Sequence, residues 1–197
     1  MANVRADAVR NRRLLLDAAA AEFAEHGTEV SIARIAARAG IGKGTVFRHF
    51  ATKEQLMAAI FSDQLESLVA RGEALREGAD SGAALLEFMA AGVELRSFCQ
   101  AFTPAMREDP QIRAASDRLV AVARSLTDRA CRDGFVRDDV TGHDVVLLIN
   151  AACQAVAPLG DAVPGLWRRY LSMIFDGLRP EAAHPLPVPA PDSLTPG

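Results

Sequence analysis

Lys43, Thr45, Arg48, His49 and Lys53 lie within eleven residues of one another, with Gly42 and Gly44 set among the first of them. Cations, a hydroxyl and an imidazole around bare backbone suit phosphate and the edges of bases. Glycine in such a set removes side chains where the backbone has to come close to a partner. Each glycine also lowers helix propensity by roughly 1 kcal/mol against alanine, so the sequence tolerates a local cost for that approach.

Two short helices joined by a tight turn must position these groups. Ser31 is placed to N-cap the first, its hydroxyl accepting from a free backbone N–H of the first turn. Ile32, Ile35, Ala36 and Ala39 then recur at helical spacing. Gly40 follows the last of them, where a left-handed residue ends a helix at least cost. Ile41 plugs the crevice between the helices. The second helix is expected from near Gly42 to about His49, with Val46 and Phe50 four apart on its buried face. Lys43, Gly44, Thr45, Phe47, Arg48 and His49 are left for the outer face. This is a helix-turn-helix pattern, a unit that lays its second helix in the major groove of double-stranded DNA.

The chain has 197 residues, 50% of them hydrophobic and 24% charged, which is ordinary for a soluble protein. No apolar run approaches the ~20 residues of a membrane span, and the N-terminus has no signal-peptide core, so a cytoplasmic protein without a membrane partner is expected. The net charge of −3 hides a division: residues 1–60 carry +3 and the remainder −6. The basic end is the end with the helix-turn-helix, and local sign sets the attraction to phosphate. Cys99, Cys131 and Cys153 are widely spaced and show no metal-ligand spacing with His26, His49, His143 or His184. They read as reduced core thiols; no metal and no cofactor is expected.

Helical periodicity runs through the rest of the chain. A first helix covers 8–26, with Leu15, Ala19 and Phe23 four apart and Arg10, Arg12 and Arg13 on its first turns, either solvated or reaching a phosphate backbone. Thr52 caps a long helix from Lys53 to about Glu77, a connector whose movement would change the spacing of two DNA-reading heads. Further helices are expected over 83–103, 111–133 and 143–158, and Pro164 opens the last one. The tail from Pro180 holds six of the ten prolines and is expected to be disordered. The reading is therefore all-α: a helix-turn-helix domain over 1–52, a second helical domain over 53–179, and a Pro-rich tail over 180–197.

Residues from about 8 to 60, notably Leu-Leu-Asp-Ala-Ala-Ala-Ala-Glu-Phe-Ala-Glu-His-Gly and Ser31 through Leu56, resemble the DNA-binding domain of the TetR family of bacterial transcriptional regulators. The resemblance implies a homodimer of Ω-like all-α subunits with about nine helices, in which the helical domain over 53–179 is the ligand-binding and dimerisation domain. It also implies a pseudo-palindromic operator, and repression relieved when a small molecule binds. It places Lys43, Gly44 and Thr45 at the start of the recognition helix, His49 and Lys53 on phosphates, and Arg48 where side chains vary with the operator. Ser31 and Arg34 join this set from the first helix, Arg34 standing beside Ala33, which lacks a polar group that some members use. Phe47 departs from the family's usual tyrosine and keeps only apolar contact, to a thymine methyl or a sugar. Gly42 replaces the frequent serine cap.

For the effector, Phe88, Met89, Phe98, Phe102, Met106 and Trp167 are candidates to line an apolar pocket, with Arg96, Asn150 and Gln154 as polar anchors. A hydrophobic or aromatic small molecule is the expected class. The two most apolar helices are also the last two; Leu148, Ala152, Val156, Leu166, Tyr170, Ile174 and Phe175 are the candidates for a four-helix dimer surface. An enzyme is not expected, because no phosphate loop, nucleophile elbow or His/Glu metal motif is present. An activator of the same fold and a helical protein-binding adaptor are the alternatives.

Overall fold

Capping residues divide the chain where the apolar periodicity breaks. The computed structural model describes residues 2–26, 30–95, 106, 108–159 and 162–193, and among them are eight α-helices and no strand. These are α1 Ala2–His26, α2 Ile32–Arg38, α3 Lys43–His49, α4 Lys53–Leu75, α5 Ser81–Glu94, α6 Pro110–Arg132, α7 Gly142–Val156 and α8 Leu166–Asp176. Thr52 caps α4 by accepting from the Gln55 N–H, and Asp80 caps α5 through Ala83. Asp109 caps α6 with Pro110 in its first turn. Thr141 and Asp144 form a reciprocal capping box on α7. The last helix begins two residues later than Pro164: Gly165 takes φ +75°, a left-handed step that keeps the proline out of α8. The helix expected to run to residue 103 ends at Glu94, and 96–105 lie outside the described residues.

The helices enclose two cores. Leu15, Ala19 and Phe23 of α1, Ile35 and Ala36 of α2, Val46 of α3, Phe50, and Leu56 and Ile60 of α4 form the smaller one. The larger gathers Leu65, Leu68 and Val69 of α4, most of α5, and the inner faces of α6, α7 and α8. α5 buries a broad face, from Leu85 and Phe88 to Ala91 and Val93, and leaves a narrow exposed strip at Ala83, Glu87 and Glu94. α4 belongs to both cores. Its buried stripe changes face between Ile60 and Leu65, and the four residues between are half-buried.

α6 and α7 approach closely at Gly142. A Cβ there would stand 2.6 Å from the Cα of Arg124 and nearer still to its backbone nitrogen. The stretch Gly142–Leu159 is, contrary to the sequence expectation, long and apolar enough by composition to cross a membrane, with mean hydropathy 1.2. In the structure its Val145, Val146, Ile149, Ala152, Cys153 and Val156 are buried in the larger core. The Pro-rich segment begins with a 3-10 turn at Pro180–Ala182 and is tied down at its start. The buried Arg137 guanidinium bonds Asp139 at 2.5 and 2.8 Å and the carbonyl of His184. Residues 194–197 lie outside the described residues.

Candidate nucleic-acid interface

The turn between α2 and α3 is closed by its own backbone. The N–H of Gly40 donates to the Ala37 carbonyl at 3.1 Å and that of Ile41 to Ala36 at 3.0 Å. Gly40 has φ +67°, which completes a Schellman end to α2. Ile41 is half-buried and packs on the smaller core. Ser31 caps α2, its hydroxyl accepting from the Arg34 N–H at 3.3 Å. Val46 and Phe50 point inward and are almost wholly buried.

The opposite face of α3 is open. Lys43, Gly44, Phe47 and Arg48 are exposed, and Thr45, His49 and Lys53 are half-buried. The Phe47 ring is 47% exposed, unusual for an aromatic side chain, with the Lys43 ammonium 5.9 Å from its centroid. The Arg48 guanidinium folds along its own helix, Nε donating to the Gly44 carbonyl and a terminal nitrogen to the Thr45 hydroxyl, both at 3.3 Å. Gly42 caps α3 with no side-chain hydrogen bond. A Cβ on Gly42 or Gly44 would meet nothing within 4 Å, and neither has positive φ. No packing within the chain explains these two glycines.

Arg34 departs from its expected place on this face. Its Nε donates to Glu22 at 2.6 Å, and a terminal nitrogen lies 2.7 Å from His26 Nε2. Arg38 bridges Glu22 at 3.2 Å and holds Glu25 in a two-pronged pair at 2.6 and 2.7 Å. These ion pairs bolt α2 to α1, with the Glu22 side chain only 6% exposed at their centre. The sequence carries the signal: Glu22, Glu25 and His26 on one helix, Arg34 and Arg38 four apart on the next.

The hydrogen bond from Arg38 holds the Glu25 carboxyl below its ordinary range, and the same pairing raises Arg38. A carboxyl depressed in the folded state contributes stability that is present above its unfolded pKa and lost as the pH falls through the folded one. Acidification below about pH 4.5 is therefore expected to loosen α2 from α1, read by hydrogen exchange of the α2 amides. Glu25→Gln should flatten that pH dependence.

The other candidate residues are spread more widely. Phe88, Met89, Met106 and Trp167 meet in the larger core as packed, buried side chains. Arg96, Phe98 and Phe102 lie outside the described residues. Asn150 and Gln154 do not join the buried set: they are exposed on the outer face of α7, Asn150 donating to its own helix at Val146. Of the dimer candidates, Ala152, Val156 and Phe175 are buried inside the protomer, because they sit on the faces of α7 and α8 turned into the larger core. Leu148, Leu166, Tyr170 and Ile174 are half-buried. Beyond them the outward face carries residues the sequence reading passed over: Leu147, Ala151 and Ala155 four apart on α7, then Leu159, Val163 and Met173.

An exposed, glycine-relieved basic helix, set on a scaffold with a separate helical core behind it, defines a helix-turn-helix transcriptional regulator. Residues 15–60 match the model of the bacterial regulatory proteins of the tetR family, and residues 80–180 that of the SbtR-like transcriptional regulator C-terminal domain. The HTH-type transcriptional repressor Rv1474c of Mycobacterium tuberculosis is 31% identical over 174 residues, covering 85% of this chain and 79% of the relative. The repressor KstR2 of Rhodococcus jostii is 29% identical over 187 residues, 85% of this chain and 90% of that one. A TetR regulatory protein from Mycobacterium vanbaalenii superimposes with a TM-score of 0.65 at 32% identity, covering 89% of this chain and 99% of that structure. The chain belongs to the TetR family, and it is a DNA-binding transcriptional regulator.

Proposed function

We propose that the protein is a homodimeric repressor that grips a pseudo-palindromic operator through two copies of α3 and is released by a small apolar effector. The observation that carries this reading is the open face of α3: Lys43, Phe47 and Arg48 exposed around two glycines that meet nothing of their own chain. Lys43, Gly44, Thr45, Phe47 and Arg48 supply the groove contacts, and His49 and Lys53 reach phosphates. Ser31 lies beside them at the start of α2. The protein works in the cytoplasm, where its DNA is, and performs no catalysis. The effector enters the larger core, where Phe88, Met89, Met106 and Trp167 supply apolar contact; its place of action divides the chain into a DNA-binding unit to residue 52 and an effector and dimer unit over 53–179.

The dimer is proposed to form on the outward faces of α7 and α8. Leu147 is 46% exposed and Met173 59%, on faces they share with exposed Ala151 and Ala155, half-buried Leu148, Tyr170 and Ile174, and the polar Asn150 and Gln154. Large apolar side chains left this exposed support an association site. Leu147→Asp with Met173→Asp is expected to give a folded monomer by sedimentation. Loss of the second head should weaken operator binding by about a hundredfold or more.

The test of the function is a mobility shift with footprinting on the DNA upstream of the protein's own coding region and on duplexes it selects from a random pool, over a salt series. A protected inverted repeat with steep salt dependence is expected. Absence of any salt-steep duplex binding by the effector-free protein would overturn the reading.

A further inference from the structure

The cations of the DNA-binding unit fall into two sets. Arg13 is spoken for: it lies 3.0 Å from Asp17 on its own helix and 3.0 Å from Asp63 on α4. Arg34 and Arg38 are held by Glu22 and Glu25. A guanidinium already paired with a carboxylate has little counterion left to release to DNA, and breaking the pair offsets any new contact. Arg12 is different. Its neighbours one turn away on either side, Ala8, Val9, Leu15 and Leu16, carry no charge, and it has no carboxylate partner among the described residues. The Arg12 guanidinium lies over the Phe50 ring, 4.9 Å from the centroid.

The location matters as much as the freedom. Phe50 is the C-cap of α3, next in sequence to His49 and three residues before Lys53. Its buried ring is a fixed platform, so the stack holds an exposed cation from α1 at the end of the recognition helix. A guanidinium held over a ring still has N–H groups to offer a phosphate. Ordering the side chain before DNA arrives lowers the entropy lost on binding.

We propose that Arg12, set on Phe50, is a phosphate-binding residue of the DNA interface, and that Arg34 is not. This rests on the regulator reading above. It assigns α1 a direct part in DNA binding besides its part in the core.

The test is a salt series on Arg12→Gln, Arg12→Lys and Arg34→Gln in the full-length protein, using a random-sequence duplex of ~30 base pairs, long enough for two half-sites a helical turn apart, and the selected duplex. For Arg12→Gln the slope of log affinity against log salt should fall by about two per dimer, one phosphate for each subunit, with affinity weakened alike on both duplexes. Arg12→Lys should keep most of the slope, because the charge remains. Arg34→Gln should keep the wild-type slope. Thermal unfolding of each variant separates loss of contact from loss of fold. A wild-type slope in Arg12→Gln overturns the proposal while leaving the regulator reading intact. So does a loss in Arg12→Lys as large as in Arg12→Gln, which would mark the residue as structural. A flat salt response of the wild-type protein overturns both.

Discussion

Gly142→Ala is expected to be among the most damaging single-methyl additions this chain can suffer. The new Cβ would stand 2.6 Å from the Cα of Arg124, and the atoms it meets belong mainly to backbone in the middle of α6, which cannot swing aside as a side-chain tip can. Relief requires α7 to move off α6, and that opens the packing of Val145, Ile149 and Val156 in the larger core. Overpacking of this kind costs about 3 kcal/mol, a large share of a typical 5–15. For a chain of this size the unfolding midpoint should fall by about 10 °C. Differential scanning calorimetry reads the effect. A midpoint within a degree or two of wild type would show that α6 and α7 do not approach as described.

Gly44→Ala should do the opposite to the fold and still damage function. Nothing lies within 4 Å of a Cβ at this position, and the residue sits inside α3 with ordinary helical geometry. Alanine in place of glycine there should raise stability by about 0.5–1 kcal/mol. If the missing side chain exists to let α3 approach DNA, the same methyl will hold the helix off the groove. Operator affinity is then expected to drop at least about tenfold, or 1.4 kcal/mol. Titration of the operator and a melting curve on the same preparation test this separation of stability from binding. A variant that is more stable and binds as tightly as wild type would remove the reason given for the glycine.

The helix-turn-helix was legible because every signal in it is local. Ser31 caps within three residues, Gly40 and Ile41 close their turn on carbonyls three and five residues back, and Val46 and Phe50 share a face by spacing alone. Arg34 was not legible in the same way. Its direction depends on how α2 crosses α1 and on a buried carboxylate twelve residues earlier, neither of which periodicity states. The faces of α7 were ambiguous for another reason. Val145 and Val146, Leu147 and Leu148 make both sides apolar, so the pattern names a buried helix without naming its inner side. The contact of Gly142 with Arg124 fixes that rotation: Val145, Ile149, Ala152 and Val156 turn inward, and Leu147, Ala151, Asn150 and Gln154 outward. Phe88 and Met89, candidates to line a pocket, are wholly buried in the larger core, and composition alone does not separate a packed interior from a ligand's lining.

The shared helix α4 has a geometric consequence. Its 23 residues make a rod of about 34 Å, rooted at one end among Leu65, Leu68 and Val69 and at the other among Leu56 and Ile60. A rod of that length multiplies small angles. A tilt of about 5° about its root near Leu68 carries the Lys53 end, about 22 Å away, by about 2 Å, more than half the ~3.4 Å rise between successive bases of a strand. Under the proposed release mechanism, a small tilt originating far from the DNA would be amplified along α4 into a misalignment of each recognition helix with its half-site.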